Sequence, residues 1–452
     1  MKKNSTDFRI TEGVIWKELI RYFIPIFAGT LFQQSYSTVD AIIVGRYVGK
    51  EALAATDVTG GAINFLISIA IGISSAGGIL IAQRFGAKDE EGLKQSVHTT
   101  FSFMVVAGVV TSILGVVLAP QICMIMRAPG DMFDEALTYT RIYLSGSLFI
   151  LVFDAGTAIL RAIGDSKRPF YFLMISCLVN IGLDLLFVIV FQMGIGGAAF
   201  ASVVSQAISA FLVILLLFRT KQSYGLKIKA CRIETKTLLE MIKIGVPIVL
   251  QSSTLSISTI FLQSGVNKFG TEAVSAWSIN GKMDYMLWML IQSMGIAATT
   301  FVAQNYGAGK KDRMFKSLKA SGIMFFVVIG SMSVLLYFLT PLISFVFTPE
   351  PQIVKLASDM MKVIAPFYVA TFGGNILSSV IRGTGESLRP MLLTLIGTCG
   401  VSIIWVLVIS STEHTVFHII AGFPAAWIVT SVMYIVYYRF SVRKRWMCRD
   451  TV

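Results

Sequence analysis

Apolar runs of roughly 20 residues follow one another along almost the whole chain, each long enough to cross a bilayer core about 30 Å thick. In lipid such a segment must satisfy its own backbone hydrogen bonds, as a helix does. Composition agrees: 55% of residues are hydrophobic, only 14% are charged, and mean hydropathy is +0.74. Soluble domains carry about 25% charge. The expected fold class is therefore an all-α membrane protein, with the lipid bilayer as a permanent partner.

Breaks at polar, Gly and Pro clusters divide the chain into twelve predicted spans. They lie near residues 17–44, 52–83, 92–119, 132–159, 169–192, 195–218, 238–265, 274–304, 314–341, 354–379, 390–411 and 414–438. The stretch before the first is polar and basic, and that span has no small-residue cleavage site, so no removable signal peptide is expected.

The net charge of +13 sits mostly in the connections, on one side of the predicted membrane. Lys2, Lys3, Arg9, Lys17 and Arg21 share that side with Arg84, Lys88, Lys94, Arg161, Lys167 and Arg168. The connection from Arg219 to Lys243, the run from Lys310 to Lys319, Arg382, Arg389 and the tail from Arg439 to Arg449 lie there too. The opposite connections hold Arg46, Lys50, Arg127, Lys268 and Lys355. By the positive-inside rule the rich side is cytoplasmic, with both termini on it. The same distribution argues against nucleic acid as a partner, since the charge marks topology rather than a binding face.

The second half repeats the first at an offset of 221 residues. Gly49-Lys50-Glu51-Ala52 returns as Gly270-Thr271-Glu272-Ala273, and Ala82-Gln83-Arg84-Phe85-Gly86-Ala87 returns as Ala303-Gln304-Asn305-Tyr306-Gly307-Ala308. Arg161-Ala162-Ile163-Gly164-Asp165-Ser166-Lys167-Arg168-Pro169 returns as Arg382-Gly383-Thr384-Gly385-Glu386-Ser387-Leu388-Arg389-Pro390. Six spans per repeat is an even number, so the halves share one orientation about a pseudo-twofold axis along the membrane normal. The expected organisation is an amino-terminal six-helix lobe (1–218), a cytoplasmic linker (219–237), a carboxyl-terminal six-helix lobe (238–438) and a basic tail (439–452). Transporters with parallel repeats hold substrate between the halves and alternate access by rocking.

Ionisable groups at membrane depth are costly and mark ion or substrate paths. Asp40 lies about 9 Å of helix inward of Arg46, and Asn180 and Asp184 stand at i and i+4 on one face of span 5. Two carboxylates and an amide in the outer half have the chemistry either to ligate Na⁺ or to share a proton. The bland alternative is that each polar group only bonds a neighbouring helix. The equivalents 221 residues later are Phe261, Val401 and Trp405, so the second half does not copy this set. It has instead Lys282 and Asp284, two apart and therefore not facing each other, where a structural tie and a coupling role stay equally open. Asp154 and Asp57 lie nearer span ends; Asp154 is the better cavity candidate, as a carboxylate that would attract a cationic substrate. Gln34, Tyr36, Gln206 and Gln251 offer hydrogen bonds in a cavity whose walls can draw on 32 Phe and 20 Met.

No G-x-x-x-x-G-K-[ST] loop, HExxH or nucleophile elbow is present, and His98, His414 and His418 form no metal motif. An ATPase or hydrolase is not expected, nor any cofactor beyond a coupling ion. The five cysteines have no CxxC spacing, so neither a disulfide framework nor a zinc site is indicated.

The repeated Ala-Gln-x-x-Gly-Ala and Arg-x-x-Gly-Asp/Glu-Ser-x-Arg-Pro motifs resemble those of the multidrug and toxic compound extrusion (MATE) family, over essentially the whole chain. The resemblance implies a monomeric rocking exporter that exchanges H⁺ or Na⁺ for small amphipathic, often cationic, compounds. It also implies that Asp40, Asn180 and Asp184 match an amino-terminal-lobe cation or proton site, with Ser202 near a further hydroxyl of it. A span 7 glutamate found in some members is replaced here by Leu255. The competing reading is a lipid or lipid-linked oligosaccharide flippase, which would need cations for a diphosphate headgroup. Only Arg141, Lys282 and Lys362 are available within spans.

Overall fold

The computed structural model describes residues 10–130, 132–410 and 415–448, and no strand occurs among them. The basic residues Lys2, Lys3, Arg9 and Arg449, and His414, lie outside the described residues. In chain order the long helical segments of the first half are α1 (Ile15–Ile43), α2 (Lys50–Gly86), α3 (Glu90–Ile125), α4 (Phe133–Ser145 and Ser147–Ala162), α5 (Lys167–Val190) and α6 (Gly194–Arg219). The second half supplies α7 (Thr235–Asn267), α8 (Thr271–Gly307), α9 (Lys311–Phe347), α10 (Pro351–Gly383), α11 (Leu388–Val408) and α12 (Val416–Met447).

Ten of these are long and apolar enough to span a membrane, and α4 makes an eleventh, bent by 43°. The bend falls at Gly146, where an added Cβ would lie 2.6 Å from Val203 on α6. The remaining helix, α1, has the length at 29 residues but is too polar to pass on composition. Gln33, Gln34, Ser35, Ser37, Thr38 and Asp40 crowd its second half. The helix that least resembles a lipid-facing span is the one carrying a candidate carboxylate.

The repeat holds in the backbone. Helices α2 and α8 both contain 37 residues and begin and end at matched positions of the repeat. Gly49 and Gly270 precede them with φ of 137° and 85°, values closed to most side chains. Gly164 and Gly385, at 100° and 88°, make the turns of the second motif. Its acidic residue then holds the next helix. Asp165 Oδ1 accepts from the backbone N–H of Lys167 and Arg168, both at 3.1 Å, and Oδ2 pairs with Arg168 Nε at 3.2 Å. In the second half Glu386 pairs with Arg389 and Arg445 and accepts from Tyr437. Both motifs are thus connection hardware.

The chain divides into two compact units, residues 24–246 and residues 10–23 with 247–448. Both divisions fall inside a helix, next to Pro25 in α1 and at Pro247 in α7. A proline there deletes a backbone bond and weakens the helix locally. Side-chain ties explain why the first turns of α1 and α7 belong where they do. In the first unit Arg84 donates to Gly92 O (3.0 Å), Ser96 Oγ (2.6 Å), Thr237 Oγ1 (3.2 Å) and Glu240 (2.9 Å). In the second, Arg313 donates to Ile10 O and Gly13 O at 2.9 and 2.8 Å, and Tyr22 donates to Thr300 Oγ1 at 3.3 Å. The connection 219–237 is fixed on the first unit too, with Lys227 N donating to His98 Nε2 and Glu234 N to Thr99 Oγ1. Replacing Arg84 with Ala is expected to speed amide exchange at the start of α7 about fivefold to tenfold, since four bonds at a half-exposed site contribute on the order of 1 kcal/mol. Hydrogen–deuterium exchange of residues 235–240 is the measurement.

Candidate functional site

The polar half of α1 ends four residues after Asp40, where the helix widens into a π-helical turn at Val44–Val48. Helix α5 does the same directly after Asp184, turning π-helical over Leu185–Val190. Widened turns of this kind occur as single inserts in α-helices, often at functional sites. Each carboxylate therefore stands beside a local break in helix regularity.

The Asp40 and Asp184 side chains come within hydrogen-bonding range of one another. Two carboxyl groups make that bond only when one of them carries a proton. Asn180, 1% exposed, stands one turn before Asp184, which is fully buried. Five buried polar atoms here have no other protein partner: Asp40 Oδ1, Asn180 Oδ1 and Nδ2, and both oxygens of Asp184. Buried polar groups are nearly always paired, and carboxylates at such a place most of all. Four of the five atoms are oxygens, the set a hard monovalent cation accepts; a shared proton satisfies the same pair.

Three tyrosines, Tyr36, Tyr139 and Tyr143, stand near enough to feel the Asp40 charge. Tyr36 stands near Gln206 of α6, and the Tyr139 and Tyr143 rings stack at 5.6 Å. Tyr139 and Tyr143 escaped the sequence reading, although their i, i+4 spacing on the first limb of α4 was a signal. Beyond the carboxylates lies an apolar cluster of Ile43, Val44, Ala55, Cys123, Val188 and Ile195, with Val39 and Tyr139 packed on it. Ser202 is buried on α6, but its hydroxyl is not brought into hydrogen-bond contact with the carboxylates.

The MatE family model matches residues 25–186 and 247–408, one copy in each half. The chain belongs to the MATE family. A probable multidrug resistance protein, YoeA of Bacillus subtilis, is 29% identical over 96% of both chains. The multidrug export protein MepA of Staphylococcus haemolyticus is 22% identical over 95% of this chain and 96% of its own. A MATE transporter crystallised in a bent conformation shares the fold at a TM-score of 0.91, with 22% identity over 98% of this chain and 100% of that one. This MATE protein is accordingly a multi-pass membrane transporter and not an enzyme.

The other expected cavity residues of the transporter are scattered. Gln34 is half-buried on α1. Asp154 lies inside the first unit against Ser74 of α2, with Arg161 nearby, and is not at a span end. Asp57 is exposed near the start of α2. Gln251 is buried in the second unit, donating to Ser378 Oγ (3.1 Å) and Thr394 Oγ1 (2.9 Å), while its Oε1 has no partner. Lys282 is exposed, its ammonium 4.7 Å from the Phe347 ring centre. Asp284 turns the other way, accepting from Tyr368 Oη at 2.5 Å.

Proposed function

We propose that this MATE transporter is a secondary antiporter. It exports small amphipathic, often cationic, compounds from the cell by alternating access, in exchange for H⁺ or Na⁺ bound at Asp40, Asn180 and Asp184. The observation that carries the reading is the set of five unpartnered polar atoms on those three residues. A site that must be filled by a cation in one state and vacated in another is what coupling requires. Gln34, Tyr36, Asp154 and Gln206 supply polar contacts for the substrate, and Ser202 lends its hydroxyl when the site rearranges. The transporter works as a monomer in the cell membrane with both termini in the cytoplasm, as the charge of its connections indicates.

The flippase reading needs buried cations for a diphosphate. Arg141 and Lys282 are exposed, and Lys362 is paired with Asp359 at 3.0 Å. This favours the antiporter. The test is uptake of ethidium and of a fluoroquinolone into everted vesicles under an imposed proton or Na⁺ gradient. Gradient-dependent uptake with one of the two ions is expected. No uptake with either, together with rescue of a flippase-deficient strain, overturns the reading.

A further inference from the structure

At the end of the second unit where the repeated Arg-Pro motif lies, five cations have no partner in the protein. Lys316 and Lys319 on α9, and Arg439, Arg443 and Lys444 on α12, are exposed and make no hydrogen bond or ion pair among the described residues. Their neighbour Arg445 behaves differently. It pairs with Glu386 at 2.9 Å and donates to Tyr437, which ties it to the scaffold. One short segment therefore turns one cation inward and three outward.

Packing holds that segment in place. Val442 and Trp446 are buried, and the Trp446 ring meets Phe315 of α9 at 5.6 Å and Tyr438 at 5.9 Å. Lys311 Nζ adds a bond to Met447 O at 3.4 Å. The start of α9 and the end of α12 are thus fastened together. Lys319 stands one turn from Phe315, and Arg443 one turn from Trp446, so both sets of cations gather around this contact. The acids here do not cancel the charge. Glu386 is taken by Arg389 and Arg445, and Asp312 lies one turn of α9 beyond Lys316, on the side away from the bilayer.

Each set of cations also caps an apolar stripe. On α9, Lys316 and Lys319 share a face with Ile323 and Val327, both exposed on the bundle. On α12, Val432, Val436 and Phe440 are exposed along the face that Arg443 and Lys444 continue. On a membrane span such aliphatic faces meet lipid tails, and the first cations beyond them reach the headgroups.

We propose that Lys316, Lys319, Arg439, Arg443 and Lys444 form a binding site for an anionic phospholipid. Its phosphodiester lies among the five cations, and its acyl chains run along the stripes of α9 and α12. The phosphate oxygens are the acceptors these ammonium and guanidinium groups lack, and arginine can meet them with paired bonds. A zwitterionic lipid would bring a cation of its own into the cluster and fits it less well. The bound lipid adds a tie between α9 and α12 beside the Phe315–Trp446 contact. That this leaflet is the cytoplasmic one rests on the topology proposed above; the binding itself does not.

Native mass spectrometry of the purified full-length protein in a neutral detergent reads which lipids stay bound. Phosphatidylglycerol is expected to bind at least about tenfold more tightly than phosphatidylcholine, since each basic residue near an anionic headgroup is worth about fivefold. Lys316→Gln/Lys319→Gln/Arg443→Gln/Lys444→Gln is expected to remove that difference. The deciding pair is Arg443→Gln against Arg445→Gln, which delete the same charge from one short segment. The first is expected to weaken phosphatidylglycerol binding about fivefold, the second less than about twofold. Equal losses mean diffuse attraction to a basic tail and overturn the site. Should the fourfold variant fail to fold, this comparison decides alone. Inorganic phosphate is expected to displace no more lipid than chloride at the same ionic strength, because it brings no acyl chain. Displacement by phosphate alone means an anion site, and equal binding of the two lipids means a merely apolar surface; either result overturns the proposal.

Discussion

Asp184→Asn is expected to reduce gradient-driven ethidium efflux to background while leaving the thermal midpoint unchanged or higher. The two effects have one cause. Apart from the contact with Asp40, both Asp184 oxygens are buried with no donor on the protein, so the native residue is held for the ion it shares with Asp40 and not for bonds to the scaffold. Asparagine keeps the shape and removes the charge, relieving a burial cost that tertiary structure elsewhere must offset. Relief of about 1 kcal/mol corresponds to roughly 2–4 °C in Tm for a domain of this size. A structural carboxylate would behave oppositely, losing midpoint along with activity. Fluorescence-detected thermal unfolding beside everted-vesicle transport distinguishes the two; a variant that is destabilised yet still transports would contradict the account.

The largest loss of stability is expected from Gly373→Val. A Cβ at Gly373 would lie 2.4 Å from Ser431 Cα and 2.6 Å from its Oγ, so the collision involves backbone rather than a flexible side-chain tip. Gly373 N also donates to that Oγ at 2.7 Å, and the Ser431 hydroxyl itself reaches Ala370 O. Close helix approach through small residues and interhelical hydroxyl bonds is a principal means of association in lipid. Forcing α10 and α12 apart is expected to cost about 3 kcal/mol, or roughly 6–10 °C in Tm. Gly281→Ala is the control: it sits within α8 with nothing within 4 Å of its Cβ position, and is expected to be neutral or slightly stabilising.

Much of the architecture could be read before any coordinates. Span count, repeat register and connection charge all come from one-dimensional patterns, and the matched ends of α2 and α8 show how strictly the 221-residue offset is kept. Asp40, Asn180 and Asp184 stood out because carboxylates at membrane depth are rare. Two kinds of information were not on the chain. The first is where helices change ownership: Arg84 and Arg313 pull the first turns of α7 and α1 onto units that a count of spans would not choose. The second is which partner a polar side chain finds across helices. Lys282 and Asp284 were seen not to face each other, yet nothing in their spacing named Phe347 or Tyr368 as the groups they meet. The tyrosines Tyr139 and Tyr143 were hidden for the same reason.

The most direct test of the central claim, that Asp40 and Asp184 convert an ion gradient into export, compares two kinds of ethidium movement in one double variant. In everted vesicles, Asp40→Asn/Asp184→Asn is expected to lose uphill, gradient-driven uptake and to keep downhill counterflow exchange, because the rocking scaffold is intact and only its coupling ion is gone. Undiminished uphill uptake in the double variant would contradict the account.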